Sequence, residues 1–566
     1  MVAGAQQPVE DWASLPWRKL ETWITRLQTR IYRASRRGNV QAVHSLQRLM
    51  LKSQAARLLA VRRVTQDNHG KKTAGVDGVK AVPPTKRLSM SAALGHRDQL
   101  KPQPIRRVWI PKPGKKEQRP LGIPTMVDRA HQALVKLALE PEWEAKFEPN
   151  SYGFRPGRRA HDAIQAIFLS IVKKRKWALD ADIKGCFDNI DQAALLRKMN
   201  ATPTIHRSVK GWLKAGVING WTYEPTERGT PQGGVLSPLL ANIALHGLEK
   251  AVQAAFRTQE SRQPLAVIRY SDDFVILYPT REGIELAKET TATWLAEVGL
   301  ALHPSKTRIV HTFEGTAENV GFDFLGFTVR QHPVGKYHSG RVNGKLLGHK
   351  TIIRPSKESV KRHLRQLGEE IDKHKAAKQD ELIRKLNPII RGWCNYHRTA
   401  MAKRTFAKCQ HVLFQKLWRW AKFRHPTKSR HWRANRYWHT ADGRWQFRGD
   451  DGSVLFRHDR TQIKRHVKVK GDASPMDGNI VYWSKRLKDH PLMDGRKARL
   501  LVRQDWRCTG CGGPFREGDR LELDHTIPTT RGGVNAPSNW QLLHGHCHDQ
   551  KTTSEGSTRR MRKQAS

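Results

Sequence analysis

Apolar positions recur with two different periods along this chain. From Trp12 to about Gln66 it is rich in Leu, Arg, Gln and Ala, with no Gly or Pro between Asn39 and Gln66, which predicts a helical N-terminal region. At Lys71 the texture changes to a Gly-bearing loop, KKTAGVDGV. Then comes KPQPIRRVWIPKPGKKEQRPLGIPT, whose prolines and lysines punctuate short strands flanking a basic loop. Ile164, Ile167, Phe168, Ile171 and Val172 follow the helical repeat and predict a core-facing helix around Asp162 to Lys174. KWALDADIKGCFDNI predicts a strand from Trp177 to Ile183 that runs into a turn. Gly233 and Gly234 open a loop, and Ser237-Pro238 starts an apolar helix with proline in its first turn. Strands around Tyr270 and Asp273, a helix over Glu282 to Val298, and strand-like pieces near Arg308 and Phe322 to Val329 complete an alternating α and β region. After Pro355 the pattern turns helical again, with Val360, Leu364, Leu367 and Ile371 on one face.

Composition adds a partner class. The 566 residues exceed what one core supports and predict several domains. With 102 Lys plus Arg against 51 Asp plus Glu, the formal charge of +51 calls for a polyanion, since each neutralised phosphate releases condensed counterions. No apolar run approaches the roughly 20 residues a membrane span needs, so no membrane partner is expected. The start, MVAGAQQPVEDW, lacks a secretion signal, and six cysteines are too few for a disulfide scaffold. A reducing cytoplasm is the expected location. Between Met401 and Thr440 eleven Lys or Arg, no Asp or Glu, and eight aromatics interleave. That mixture suits a nucleic-acid groove, or a helix whose rings are core and whose charges are solvated; some of each is expected.

The stretch VIRYSDDFVILY sets Asp272 and Asp273 between two apolar runs. Two like charges about 4 Å apart repel by roughly 4 kcal/mol at an effective dielectric near 20, so something positive must share their site. Asp182 ends another apolar strand in the same way. Three converging carboxylates would hold two magnesium ions for nucleotidyl transfer. Asp-Asp pairs also occur in ordinary surface turns, so spacing alone does not decide.

The surrounding motifs do. YSDD, DADIKGCFDNI, RPLGIPT, SYGFRPGR, GTPQGGVLSPLLANI and LALHPSKT occur in the order and spacing of the reverse transcriptases encoded by bacterial group II introns, which this chain resembles over nearly its whole length. The resemblance implies that Asp182, Asp272 and Asp273 bind the metals, with the Ile183 carbonyl as an extra ligand. It places Phe187 at an aromatic gate against ribonucleotides, Lys112 and Arg119 on the incoming triphosphate, and Gln232 in the nucleotide and template pocket. Lys306 matches a lysine proposed to protonate pyrophosphate, with a structural role as the alternative. The usual YADD is YSDD here, and Ser271 is small enough to fit. LNPIIRGWCNYH and LWRWAKFRHP resemble the thumb or maturase region that grips intron RNA.

At the C-terminus Cys508-x-x-Cys511 and His544-x-x-Cys547 give the two ligand pairs of a tetrahedral zinc. A redox CxxC is the alternative, which the second pair disfavours. LELDHTIPTTRGG and NWQLLHGHCHDQKT resemble the HNH endonucleases. By that resemblance His525 is the general base, Asp524 and His548 bind a catalytic divalent ion, and Asn539 pins the backbone or orients His525. His544, His546 and His548 alternate, so their division between the two metals stays open by one position. Pairing with the CxxC assigns His544 to zinc.

The expected fold is therefore α+β and multidomain. The parts are an N-terminal helical extension (1–70), right-hand polymerase fingers and palm (71–335), a helical thumb or maturase domain (336–440), a linker or DNA-binding region (441–500) and a small zinc-bearing ββα-metal HNH domain (501–566). The expected function is an RNA-directed DNA polymerase, a splicing maturase and a DNA endonuclease whose nick primes reverse transcription during intron mobility. Mg2+ would serve both catalytic sites and Zn2+ the structural one. Partners would be the cognate intron RNA, target DNA and dNTPs, and the location a bacterial cytoplasm, at the nucleoid when acting on DNA. A splicing-only maturase and a defence-type reverse transcriptase-nuclease are the alternatives.

Overall fold

The computed structural model describes residues 12, 14–111, 117–256, 265–315, 320–441, 444–490, 493–516 and 518–564. Helices Trp17–Arg36, Val40–Lys52 and Gln54–Arg62 form the N-terminal region; Asn39 and Ser53 cap the second and third through their side chains. These helices do not stand apart. Ile24, Leu27, Ile31, Met50, Leu58 and Leu59 share one core with Leu134, Leu137 and Leu139 of the long helix Met126–Glu144. Buried Gln28 and Gln47 donate to the Leu137 and Ala138 carbonyls of that helix.

Two four-stranded sheets follow. The first comprises β1 (Ile105–Pro111), β2 (Gln118–Ile123), β4 (Val217–Asn219) and β5 (Thr222–Glu224), in the order β2-β1-β4-β5. The second comprises β3 (Trp177–Asp182), β6 (Ala266–Tyr270), β7 (Asp273–Tyr278) and β8 (Arg308–His311), in the order β6-β7-β3-β8, with every neighbour antiparallel. Covering both faces of β7 explains its unbroken apolar run. Phe274, Ile276 and Tyr278 share a core with Ile284, Ala287 and Leu295 of helix Arg281–Glu297, while Val275 and Leu277 join Ile164, Ile167 and Ile171 of helix Ala160–Ile171. The predicted Ile stripe is thus core. Its helix ends at Ile171, three residues before the expected Lys174.

Beyond a three-stranded sheet built from Phe322–Phe324, Phe327–Pro333 and His349–Pro355, helices Lys357–Lys373, Gln379–His397 and Lys403–Arg424 pack as a bundle. The first of these is rotated from the expected face. Ser359, His363, Leu367 and Ile371 are buried, whereas Val360 and Leu364 are half-buried, because His363 and Ser359 find partners inside in His458 and His397. Of the eight aromatics between Met401 and Thr440, only Phe423 and Trp432 are exposed. Phe406, Trp420, Tyr437 and Trp438 are core.

Residues 444–490 do not hang as a linker between bodies. Phe447 and Leu455 enter the helical core, and Val469 and Trp483 enter the core beneath helix Ala160–Ile171. The fully buried Asp162 is the anchor: it accepts from His466 Nε2 (3.0 Å), from Val469 N (2.8 Å) and from Arg486. Burial alone would raise its carboxyl, but these partners outweigh burial and hold it at about 2.

The C-terminal part pairs Leu521–His525 with Trp540–His544 and continues into helix Gly545–Gln564, a ββα unit. It leans on the first helix: His546 packs against Trp17, and Arg516 reaches Thr25. Among the described residues no helix is long and apolar enough to cross a membrane.

Candidate functional site

Strand register brings two of the three carboxylates together. Asp182, at the end of β3, lies opposite Asp273 at the start of β7, and Asp273 in turn lies opposite Tyr270 of β6. Ser271 and Asp272 form the two-residue turn between β6 and β7, with Ser271 in the left-handed region at φ 61°. Solvent reaches the Asp273 side chain while protein atoms crowd around it. That crowding, together with Asp272, Asp182 and Asp180, pushes its carboxyl up to about 7. The positive partner that the doublet demanded is present in part. The Lys306 ammonium pairs with Asp182 Oδ2, and the preceding loop is tied to the same strand end by His303 N donating to the Asp182 carbonyl at 2.8 Å. Ile183 is buried and bridges to Leu302.

A network that the sequence reading missed holds the turn. The fully buried Arg269 donates to the Ser271 carbonyl (3.1 Å) and to Asn242 Oδ1 (3.0 Å), while Asn242 Nδ2 donates to the Gly153 carbonyl at 2.8 Å. A Cβ on Gly153 would stand 2.3 Å from Ser271 N, so only glycine admits this approach. SYGFRPGR, LLANI and YSDD therefore form one physical unit. The available signals were an arginine inside the apolar run VIRY and an asparagine inside the apolar helix.

Phe187 lies on the short helix Cys186–Asn189, its carbonyl accepting from Thr230 N at 2.6 Å and its ring edge-on to Phe154 at 6.3 Å between centroids. Gln232 Nε2 donates to Asp188 (3.3 Å), and its carbonyl accepts from Gly122 N, joining the PQGG loop to β2. Burial raises the Asp188 carboxyl, while Arg107 and Gln232 oppose that shift. Arg119 stands exposed on β2, opposite Ile110. Lys112 lies outside the described residues.

At the C-terminus the donor atoms of Cys508, Cys511, His544 and Cys547 all lie within 4.8 Å of one another. Among the described residues this is the one group of three or more such ligands. Three soft thiols and an imidazole at that spacing fit a tetrahedral metal, and the outer His544 nitrogen faces Asp519 Oδ2 at 3.4 Å, as a ligating imidazole needs. His546 is outside this group of four; its ring stacks on His544 at 5.2 Å between centroids and also meets Trp17, and burial first, then Arg62, depresses its pKa to about 3. His548, on the first turn of the last helix, is half-buried with no hydrogen bond at Nδ1. Asp524 has partners that the sequence reading did not name, since Lys551 (2.6 Å) and Gln541 (3.0 Å) both donate to its Oδ2. Burial would raise that carboxyl; the two donors outweigh it and hold it below the ordinary carboxylate range. Asn539 pins the backbone, bonding Ile527 N, the Ile527 carbonyl and the Val534 carbonyl, each at 2.9 Å. Asn535, unforeseen, is the residue that bonds His525 Nε2 (3.2 Å).

A carboxylate-bearing β-turn inside an antiparallel sheet, followed by a helical bundle and a ββα unit whose Cys508, Cys511, His544 and Cys547 could hold a metal, is the arrangement to compare with nucleic-acid polymerases and nucleases. The family described as reverse transcriptase (RNA-dependent DNA polymerase) matches residues 110–329, and its N-terminal domain matches 12–94. The group II intron maturase-specific domain matches 360–438, and HNH endonuclease matches 508–554. Protein YkfC of Escherichia coli (strain K12) is 32% identical over 321 residues, covering 50% of this chain and 82% of YkfC. Group II intron-encoded protein LtrA of Lactococcus lactis subsp. cremoris is 30% identical over 373 residues, covering 53% of this chain but only 61% of LtrA. The chain belongs to the group II intron-encoded reverse transcriptases with maturase-specific and HNH endonuclease domains.

Proposed function

We propose that this protein copies RNA into DNA from the site at Asp182, Asp272 and Asp273, assists splicing of its intron RNA through the helical bundle, and nicks target DNA with the ββα unit to supply the primer. The pairing of Asp182 with Asp273 beside the Asp272 turn carries this reading: a carboxyl pushed up to about 7 by burial and by neighbouring acids is one that a cation would relieve. In this reading the two sheets and the bundle act as fingers, palm and thumb. The parts divide as residues 1–70, 71–335, 336–440, 441–500 and 501–566, although the first and fourth share cores with their neighbours.

Divalent ions, when bound, supply the charge that makes a 3′ hydroxyl or a water nucleophilic and stabilises the leaving oxygen, while zinc at Cys508, Cys511, His544 and Cys547 supplies rigidity. The protein's own groups do the rest. Lys306 neutralises Asp182 and stands at the strand end to meet pyrophosphate. Phe187 bars a 2′ hydroxyl, Arg119 and Lys112 take the triphosphate, and Gln232 holds the loop lining the pocket. In the nuclease part the tautomer of His525 follows from its neighbours. Trp540 Nε1–H can only donate, so Asn535 presents its oxygen (3.1 Å), and His525 must therefore donate to that oxygen from Nε2. This leaves Nδ1 unprotonated, the nitrogen that takes the proton from water. Intron RNA, target DNA and dNTPs are the partners, and the work is cytoplasmic.

Primer extension on an RNA template with magnesium, comparing the natural chain with Asp272→Ala, tests the polymerase reading. Extension lost only in the variant, with RNA binding kept, supports it. His525→Ala should remove nicking and leave extension of a supplied primer intact; undiminished nicking would place the base elsewhere. Failure to speed splicing of the cognate intron at any magnesium concentration would remove the maturase role.

A further inference from the structure

Three segments far apart in sequence meet at the turn that carries Asp272, and one buried cation joins them. Arg269 is locked along its backbone first: its N–H donates to the Asn150 carbonyl at 3.0 Å and its carbonyl accepts from Tyr152 N at 2.9 Å, which covers the outer edge of β6. The side chain then ties the turn. Its Nη1 carries two protons and gives them to two acceptors, Asn242 Oδ1 and the Ser271 carbonyl. The Asn242 amide can face only one way, because the Gly153 carbonyl accepts its N–H and leaves Oδ1 to the arginine. Both Arg269 hydrogen bonds end on neutral oxygens, so the guanidinium steadies the turn without occupying a catalytic carboxylate. Its counter-charge lies elsewhere, at Glu148: burial would raise that carboxyl, but His246 and then Arg269 outweigh burial and hold it at about 2.

The turn needs such a hold. Of its two central residues only Ser271 has a positive φ, 61°, a position where two-residue hairpins usually carry glycine because a Cβ is strained there. A peptide is planar, so the direction of the Ser271 carbonyl and the placement of Asp272 change together. Asp272 in turn acts with Asp182 on Asp273. We infer that Arg269 is a positioning residue: by holding the Ser271 carbonyl it keeps Asp272 turned towards Asp182 and Asp273, and so sets the affinity of these carboxylates for divalent cations. That the bound ions serve DNA synthesis rests on the polymerase reading; the hold on the turn does not.

The test reads cation binding directly. Mn2+ is titrated into the full chain and the free ion is followed by its electron paramagnetic resonance signal, with Asp273→Asn as the blank for this site. Arg269→Met, of similar length but without a donor, should weaken that binding about tenfold, the value of one charge-assisted hydrogen bond, and should raise the Mg2+ needed for half-maximal primer extension by the same factor. Loss of folded protein would lower the melting temperature and the number of sites but leave the midpoint in place. Adding Ser271→Gly should return Arg269→Met to within about threefold of the natural midpoint, since glycine enters the left-handed region as readily as the right-handed one. Should Arg269→Met fail to fold, Asn242→Ala carries the same test at about threefold, because it keeps the guanidinium beside Glu148 and removes only the amide that aims it. The inference is overturned if the Mn2+ midpoint of the folded variant stays within about twofold of the natural one, or if Ser271→Gly recovers none of the loss. Weakened Mn2+ binding in Arg269→Met, with no primer extension by the natural chain, would keep the positioning role and remove the polymerase reading instead.

Discussion

Asp273 and Asp524 occupy similar local positions, each at one end of an antiparallel strand, and the fold treats them in opposite ways. Around Asp273, burial and three neighbouring acids push the carboxyl up, and the Lys306 ammonium that opposes them pairs with Asp182. Around Asp524, Lys551 and Gln541 hold the carboxylate charged. If Asp182, Asp272 and Asp273 are the polymerase site proposed above, their mutual repulsion favours any cation that arrives. If Asp524 is the metal ligand proposed for the nuclease unit, Lys551 already stands on it, and an incoming metal would have to displace or share that cation.

The largest effect that could break this contrast is loss of one acid. Asp273→Asn should lower primer extension by on the order of a thousandfold, since it removes a group aimed at charge developing in the transition state, while nicking continues at its normal rate. Extension within tenfold of the natural rate would show that Asp182 and Asp272 suffice. A smaller effect is expected at the other site. Lys551→Met should reduce the divalent-ion concentration for half-maximal nicking roughly tenfold, because the ammonium no longer competes for Asp524. A rise in that concentration would mean that the lysine positions the carboxylate and does not compete.

The smallest effect is thermodynamic. The Asp273 carboxyl lies near 7 in the folded protein and near the ordinary aspartate value of 3.8 when unfolded, so the native state binds the extra proton more tightly. Its contribution to stability is full below about pH 4 and is lost as pH rises towards 7. Metal-free protein should therefore melt at a slightly lower temperature at pH 8 than at pH 6; magnesium or Asp273→Asn should flatten that part of the profile. Because solvent reaches Asp273, the shift should be only about 1–2 °C. Asp162 offers the internal contrast. Its folded pKa of about 2 gives stability that is present above about pH 4 and lost as pH falls towards 2.

Much of both sites was legible in the chain. VIRYSDDFVILY announced two strands with acids between them, and Cys508, Cys511, His544 and Cys547 announced a metal cluster, because apolar runs and ligand spacing are local properties. The helical region from Met401 was legible in composition but not in use: most of its basic residues stayed at the surface, Arg433 excepted, while four of its eight rings became core. Arg269, Asn242, Asn535 and Lys551 were not foreseen. Each acts on a residue that is distant in sequence or belongs to another element, and no pattern of period 2 or 3.6 reports such a pairing.

The same division accounts for the molecule as a whole. Local chemistry settled in the sequence which residues are acids, ligands, strand formers and helix formers, and the order of the motifs settled the family. Packing alone decided that residues 444–490 enter two cores and are tied to Asp162 in one of them, that the N-terminal helices belong to the same core as Met126–Glu144, and that His546 packs against Trp17. The reason is physical. Side-chain type is carried by one residue, whereas burial and charge compensation depend on groups that meet only when the chain has closed on itself.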